Sequence, residues 1–301
     1  MRPPSPAAAL PGVCSRGWPA PAKLNLFLHI TGRRPDGYHE LQTMFQLLDY
    51  GDELDFTLRA DGCIRRLGSC NHAPPEQDLV VRAARLLQQT AGTTLGVDIR
   101  LNKRLPAGGG LGGGSSDAAT TLVALNALWA CGLDEAALQS LGLRLGADVP
   151  VFITGRSAWA EGVGERLQPV DLPTAWYAVV CPDAHLSTAA LFQDPRLTRD
   201  CARMTISNFF AGDHGNVFEP VARQHEPAVD EAFRWLGRHG RARLTGSGAC
   251  LFASFNSREA AVAALTGLPA RWHGFVARGL NRSPLLDRLA RLRSKAPGRE
   301  A

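Results

Sequence analysis

From Lys23 to Ile30 the chain alternates: Leu24, Leu26, Leu28 and Ile30 fall on one side of an extended segment, and Lys23, Asn25, Phe27 and His29 on the other. A period of two predicts a half-buried strand on which Lys23 and Asn25 point the same way. Arg34-Pro-Asp-Gly37 carries turn chemistry, Tyr38 and His39 follow it, and a mixed apolar stretch to Leu58 reads as further strand. The spacing then changes. Leu79, Ala83, Leu86 and Leu87 recur at helical intervals behind Asp78, a suitable N-cap, so a helix is predicted over 78–90, and Val97 to Leu101 alternates again as strand. Ala118, Leu122, Leu125 and Trp129 define one face of a helix over 116–129 that stops before Gly132, and a second helix runs from an Asp134 cap towards Gly146. Beyond Gly155 the pattern gives a buried strand over 175–181, helical segments near 188–191 and 227–236, and strands at 243–244 and 250–255. Strands and helices interleave without the regular βαβ rhythm of a doubly wound sheet, so the expected fold class is α+β in two lobes.

A chain of 301 residues that is 45% hydrophobic exceeds what one core generally supports, which agrees with two lobes. The expected division is a disordered tail over 1–20, an N-terminal lobe over 21–160, a C-terminal lobe over 161–287 and a basic, solvated tail over 288–301. Within 1–20 the only apolar block, Ala7 to Leu10, is bounded by prolines and makes neither a signal-peptide core nor a membrane span. Counting 33 Lys and Arg against 28 Asp and Glu leaves +5, which suits a polyanionic small molecule and falls short of a nucleic-acid groove. Neither nucleic acid nor membrane is therefore expected as a partner. The 7 cysteines are odd in number without a Cys-x-x-Cys pair, and the 8 histidines form no His-Glu-x-x-His, so a reducing cytoplasm and no structural metal are expected.

The densest signal is Leu105-Pro-Ala-Gly-Gly-Gly-Leu-Gly-Gly-Gly-Ser-Ser-Asp117, set directly before the helix over 116–129. Glycines let backbone N–H groups approach a ligand without a Cβ in the way, and the helix N-terminus adds about half a positive charge. Together they predict a phosphate cradle, with the anion over Ser115 and Ser116. A flexible linker would not run straight into an amphipathic helix. No lysine follows the glycines, which excludes the Walker pattern. Gly108, Gly110 and Gly113 satisfy G-x-G-x-x-G formally, but Asn102 to Pro106 separate them from the preceding strand and Asp134 caps a helix, so a dinucleotide site is disfavoured.

Three separated segments resemble the GHMP family of kinases: Pro21-Ala-Lys-Leu-Asn-Leu-Phe-Leu28, the glycine loop from Pro106 to Asp117, and Leu244-Thr-Gly-Ser-Gly-Ala-Cys250. Asp36-Gly-Tyr-His39, Gly146-Ala-Asp-Val-Pro150 and Ala160-Glu-Gly-Val-Gly-Glu165 extend the resemblance from Pro21 to Leu285. It implies an N-terminal ATP lobe, a C-terminal lobe and substrate in the cleft between them. It also implies ATP as co-substrate, with Mg²⁺ carried by the nucleotide, and transfer of the γ-phosphate to a hydroxyl of a cytidine diphosphate-linked polyol. A homoserine or mevalonate acceptor is the nearest alternative; a non-catalytic nucleotide binder and a nicotinamide-dependent oxidoreductase stand further off.

Carried over by position, Lys23 and Asp148 resemble the family's catalytic residues, Asn25 and Thr188 its contacts to the polyol, and Tyr38, His39 and Phe192 its cytosine site. Lys103, Pro106, Gly108, Gly109, Gly110, Leu111, Gly112, Gly113, Gly114, Ser115 and Ser116 fall where the family holds ATP. The chemistry agrees with these types: phosphoryl transfer needs an aligned alcohol, cations against the equatorial oxygens, and a carboxylate to take the hydroxyl proton. On their own, Asp148 would read as a helix cap, Lys23 as a solvated strand residue and Phe192 as core. Thr245 to Gly248 reads as a close-approach loop or a plain turn. One departure stands out. Where the family carries an asparagine that helps read adenine, this chain has Asp78, which accepts hydrogen bonds but cannot donate them when ionised.

Overall fold

A computed structural model describes residues 12–68, 77–212 and 214–295. Its N-terminal part contains β1 (Cys14–Arg33), β2 (His39–Arg59), β3 (Ile64–Leu67), α1 (Leu79–Ala91), β4 (Gly96–Asn102), α2 (Gly113–Leu128), α3 (Glu135–Leu143), α4 (Val149–Thr154), β5 (Ala158–Gly162) and β6 (Arg166–Pro169). The C-terminal part contains β7 (Trp176–Cys181), α5 (Thr188–Gln193), α6 (Ile206–Ala211), α7 (Glu219–His225), α8 (Pro227–Leu236), β8 (Arg243–Leu244), β9 (Leu251–Phe255), α9 (Arg258–Ala264), β10 (His273–Leu280) and α10 (Pro284–Lys295). The α+β expectation holds.

The spine is the long antiparallel hairpin of β1 and β2, closed at the expected turn by the Gly37 N–H donating to the Arg34 carbonyl. β2 is long enough to serve three further partners: β5 along residues 41–45, β10 at 47–48 and β4 along 53–59. β10 also pairs with β7, so the sheet runs from the first lobe into the second in the order β3-β4-β2-β10-β7-β9-β8. Every ladder is antiparallel except β3 with β4. That topology removes the parallel βαβ frame a nicotinamide-binding reading of the glycines would need.

The alternation over 23–30 marks a strand, but not a half-buried one. Lys23, Leu24, Asn25, Phe27 and Ile30 are all buried, and the register shift between Asn25 and Leu28 brings Leu28 to the same cavity as Lys23 and Asn25. The reason is the free edge of β1: Lys23 N–H donates to the Leu111 carbonyl, Leu28 N–H to the Gly215 carbonyl, and Val217 and Cys201 N–H groups return bonds to Leu28 and Ile30. Register shifts between Pro21 and Lys23 and between Asn25 and Leu28 bulge β1 on either side of the two polar residues. Bulges of this kind re-aim side chains.

Both expected tails need correction over their described parts. Residues 14–20 are the start of β1, and Trp18 there is fully buried, edge-on to Phe56, with its indole N–H donating to Ser15 Oγ. Residues 288–295 belong to α10, whose Leu289 and Leu292 pack against the N-terminal core while the Arg288 guanidinium sits 4.7 Å over the Trp18 ring. Residues 1–11 and 296–301 lie outside the described residues. The boundary expected at 160/161 falls inside β5, whose hairpin with β6 belongs to the N-terminal sheet. Asp78 and Asp134 cap α1 and α3 as expected, accepting from the Val80 and Ala137 N–H groups. Among the described residues no helix is long and apolar enough to cross a membrane.

If 14–20 is core, Trp18→Ala should lower the free energy of unfolding by about 3–5 kcal/mol. Urea denaturation checks this, and a loss below about 1 kcal/mol would return the segment to the status of a tail.

Candidate active site

Burying a lysine is costly unless its three donors find partners. Lys23, only 2% exposed, finds them: Nζ donates to Asn25 Oδ1 at 2.6 Å and to the Gly110 carbonyl at 2.9 Å, and stands 3.3 Å from Asp148 Oδ2. Asp148 occupies the N-cap position of α4, yet its carboxylate makes no cap bond to that helix. It turns to Lys23 instead and stays one-third open to the cleft, with 34% exposure. The cap reading of Asp148 is thus right about position and wrong about the side chain.

The glycine loop is held between the lobes by its own carbonyls. Gly110 O accepts from Lys23 and from Thr245 Oγ1, and Gly109 O accepts from the Cys250 N–H at 3.1 Å. Asn25 joins the same lattice, its N–H donating to Thr245 Oγ1 and its amide to Thr43 Oγ1. Gly110 lies in the left-handed region at φ +73°, and a Cβ there would fall 2.1 Å from the Thr245 carbonyl oxygen. This contact between two glycine loops decides the close-approach reading of Thr245 to Gly248 over the plain turn. Gly112, at φ +72°, forms the N-cap of α2 with no side-chain cap bond. By helix geometry the first-turn N–H groups of α2 have no acceptor within the helix.

Three cavities adjoin along this line. One of about 560 Å³ is lined by Lys103, Pro106, Gly108 to Ser115, Asp78 and Asp117. A central one of about 310 Å³ holds Lys23, Asn25, Thr43, Asp148, Thr188 and Ser247, and shares Gly110 and Ser115 with the first. The third, about 920 Å³, is lined by Arg33, Arg34, Tyr38, His39, Arg144 and Phe192 among others, and shares Ala147, Val163 and Phe192 with the centre. Thr188 Oγ1 and Ser247 Oγ, 2.6 Å apart, bridge α5 to the late glycine loop.

Comparison with known proteins gives this arrangement its family. The GHMP kinases N terminal domain profile matches residues 78–156 and the GHMP kinases C terminal profile residues 197–274. A 4-diphosphocytidyl-2-C-methyl-D-erythritol kinase of Alkalilimnicola ehrlichii is 62% identical over 275 residues, 91% of this chain and 94% of that protein. The chain belongs to the GHMP kinase family. A kinase of the same name from Halorhodospira halophila is 59% identical over 274 residues, covering 89% and 94%. Among solved structures, a 4-(cytidine 5'-diphospho)-2C-methyl-D-erythritol kinase superposes with a TM-score of 0.75 at 32% identity, covering 89% of this chain and 99% of that one. A mevalonate kinase superposes at 0.64 with 16% identity over 90% and 100%, a likeness of fold alone.

In this GHMP kinase every candidate carried over by position from the family lies on one of the three cavities except Ser116. The helix begins three residues earlier than expected, so Ser116 falls inside it, fully buried, its hydroxyl without a partner among the described residues. Tyr38 is 65% exposed at the rim, whereas His39 stacks on Phe192 at 4.8 Å and 20°, so the two rings meet each other rather than facing across a gap. His39 Nε2 is buried with no partner among the described residues. Burial, with Arg199 and Arg33 adding to it, holds that imidazole below its ordinary range.

Lys103 is more engaged than its sequence position suggests. Its ammonium bridges Asp52 at 2.5 Å and Asp117 at 3.0 Å. Burial opposes that charge, but the two carboxylates outweigh it and keep Lys103 above the usual lysine range. Burial also pushes Asp117 up to about 7, against the pull of Lys103. Asp78 has both oxygens occupied, one by the Val80 N–H and one by Arg66 at 2.5 Å. Asp52 and Thr43 escaped the sequence reading because single polar residues in strands carry no pattern, and Ser247 was read only as part of the Thr245 to Gly248 loop. Asp117 was visible only as the residue after two serines.

Gly110→Ala should leave the far-ultraviolet circular dichroism intact and lower kcat/KM by about 100-fold, because the loop must shift against Thr245. Wild-type turnover in that variant would remove the two-loop contact from the account.

Proposed function

We propose that this kinase transfers the γ-phosphate of ATP to the 2-hydroxyl of 4-diphosphocytidyl-2-C-methyl-D-erythritol, a step of the non-mevalonate route to isoprenoid precursors. The observation that carries the reading is the Lys23–Asp148 pair, 3.3 Å apart at the cavity that joins a glycine-lined pocket to a larger one with aromatic and arginine walls. Relatives 59–62% identical over about nine-tenths of the chain bear that substrate in their names.

On this reading the nucleotide's phosphates lie along Gly108 to Ser115 and meet the free N–H groups of the first turn of α2. Pro106, Leu111 and Lys103 line the same pocket, and Asp78 with Arg66 stands where adenine would be read. The γ-phosphate then reaches towards Lys23. The acceptor hydroxyl sits at Asp148, whose free oxygen takes its proton as the bond to phosphorus forms. Lys23 is held by Asn25 and the Gly110 carbonyl, so its charge is in place before reaction and costs no reorganisation. Asn25 and Thr188 hold the polyol. Tyr38, His39 and Phe192 hold the cytosine: an incoming pyrimidine edge would satisfy His39 Nε2, and a stacked base would share the Phe192 face.

Magnesium would arrive with the nucleotide and neutralise phosphate charge; among the described residues no group of three or more His, Cys, Asp or Glu is placed to hold a metal. A cytoplasmic location suits the nucleotide co-substrate and the six described cysteines, all of which are free thiols.

Coupled assay of ADP release on 4-diphosphocytidyl-2-C-methyl-D-erythritol, homoserine and mevalonate should show turnover with the first alone, and Asp148→Asn should cut its kcat by about 10²–10⁴-fold with KM little changed. Preferential use of homoserine or mevalonate would refute the substrate, and full activity of Asp148→Asn would refute the catalytic pair. Phe192→Ala should raise KM for the cytidylyl substrate by about 5- to 100-fold while leaving KM for ATP alone, the loss of one base stack. Equal shifts in both constants would place the base elsewhere.

A further inference from the structure

Two carboxylates share one ammonium beside the glycine loop, and they are not equivalent. Asp52 has a full set of donors: Oδ2 takes Lys103 at 2.5 Å, while Oδ1 accepts the Arg104 N–H at 2.6 Å and the Leu105 N–H at 2.8 Å. Asp117 has Lys103 alone. Its Oδ2 accepts that single bond at 3.0 Å, and Oδ1 is buried with no partner among the described residues. Both aspartates are nearly fully buried, yet Lys103 between them opens into the 560 Å³ cavity, and its Nζ lies only 3.3 Å from where a Cβ on Gly113 would stand.

Among the described residues no other cation is paired with Asp117. Arg104 lays its guanidinium on the Tyr50 ring, 4.2 Å from its centre. α1, packed along α2, turns Arg82 and Arg85 to solvent, and across the cavity Arg66 is paired with Asp78. Lys23 lies on the other side of the loop, beside Gly112, and is engaged with Asp148 at the cap of α4. α3 bears the exposed Glu135; α10 bears Asp287, Arg291 and Arg293, all exposed, and Arg288, which lies on the Trp18 ring.

We propose that nucleotide binding on the glycine loop is coupled to uptake of one proton by Asp117. The inference rests on the nucleotide reading of that loop. A polyanion laid over Gly113 competes for the Lys103 ammonium and adds negative charge next to the less supported of the two carboxylates. Asp52 keeps its two backbone N–H donors whatever Lys103 does. Asp117 has nothing to fall back on, and a proton is the remedy left to it. Burial already holds Asp117 at about 7. Once protonated, it offers an O–H to Asp52 or to the bound phosphate. Lys103 thus becomes a phosphate ligand without leaving an unpaired buried anion behind.

The sign follows directly. A group whose pKa rises on binding favours the complex at low pH, so nucleotide affinity is highest near and below pH 7. It falls as pH climbs from 7 towards 9, by up to about tenfold per pH unit. The test is isothermal titration calorimetry with MgADP at pH 8.0, where the diphosphate is already fully ionised. Running it in two buffers of different ionisation enthalpy counts the protons exchanged. Wild type should take up about half a proton or more per MgADP bound, since Asp117 starts about 90% ionised at that pH. Asp117→Asn, of the same shape and without the titrating group, should take up close to none and show a flat dependence of Kd on pH. Zero uptake by the wild type overturns the coupling without any variant, and equal uptake by Asp117→Asn assigns the proton elsewhere. Absence of any MgADP binding would mean instead that the loop is not the nucleotide site, and both readings would fall together.

Discussion

An ammonium group buried between two lobes is the constraint around which this molecule is arranged. An unpaired buried charge costs several kcal/mol, so wherever Lys23 goes, acceptors must follow. Asn25 comes from the same strand, and two more come from distant parts of the chain: the Gly110 carbonyl from the glycine loop and the Asp148 carboxylate from the start of α4. Two of them have a further tie. Asn25 is held by Thr245 and Thr43, Gly110 by Thr245, and Asp148 is free of helix capping because its N-cap place is used differently. The lobes therefore meet at the point where a reacting phosphate would need both a cation and a base.

The same logic acts a second time one residue along the loop. Gly112 lies against Lys23 and Gly113 against Lys103, so two lysines flank the glycines from opposite sides. The pairings differ in kind. Lys23 is tied to neutral acceptors and one partly exposed carboxylate, whereas Lys103 is shared by two buried ones. One cation is fixed in position, and the other sits in a site whose charge balance changes when a polyanion arrives.

Much of this was readable from residue order. Alternation over 23–30 put Lys23 and Asn25 on one face because a strand has period two, and the glycine run announced a backbone cradle because few other sequences permit one. The helix start at 116 was misplaced because serines are good N-caps and Gly112 took that role with backbone alone. Residues 14–20 read as tail because Pro19 and Pro21 break the usual strand signal; Pro21 lies beside a register shift of β1 against β2. The basic end read as solvated because Arg288 stacking on Trp18 is a contact across almost the whole chain. The Asp52–Lys103–Asp117 bridge was out of reach for the same reason: it joins β2, the loop after β4 and α2, and no local spacing encodes it.

On the proposed reading, the acceptor hydroxyl and the γ-phosphate meet between Asp148 and Lys23. A crystal structure with ADP and 4-diphosphocytidyl-2-C-methyl-D-erythritol bound together tests it most directly. The substrate's 2-hydroxyl should lie about 2.6–3.2 Å from an Asp148 carboxylate oxygen, with the ADP β-phosphate over Gly110 to Ser115 and pointing towards Lys23. A 2-hydroxyl turned away from Asp148, or phosphates bound off the glycine loop, would contradict it.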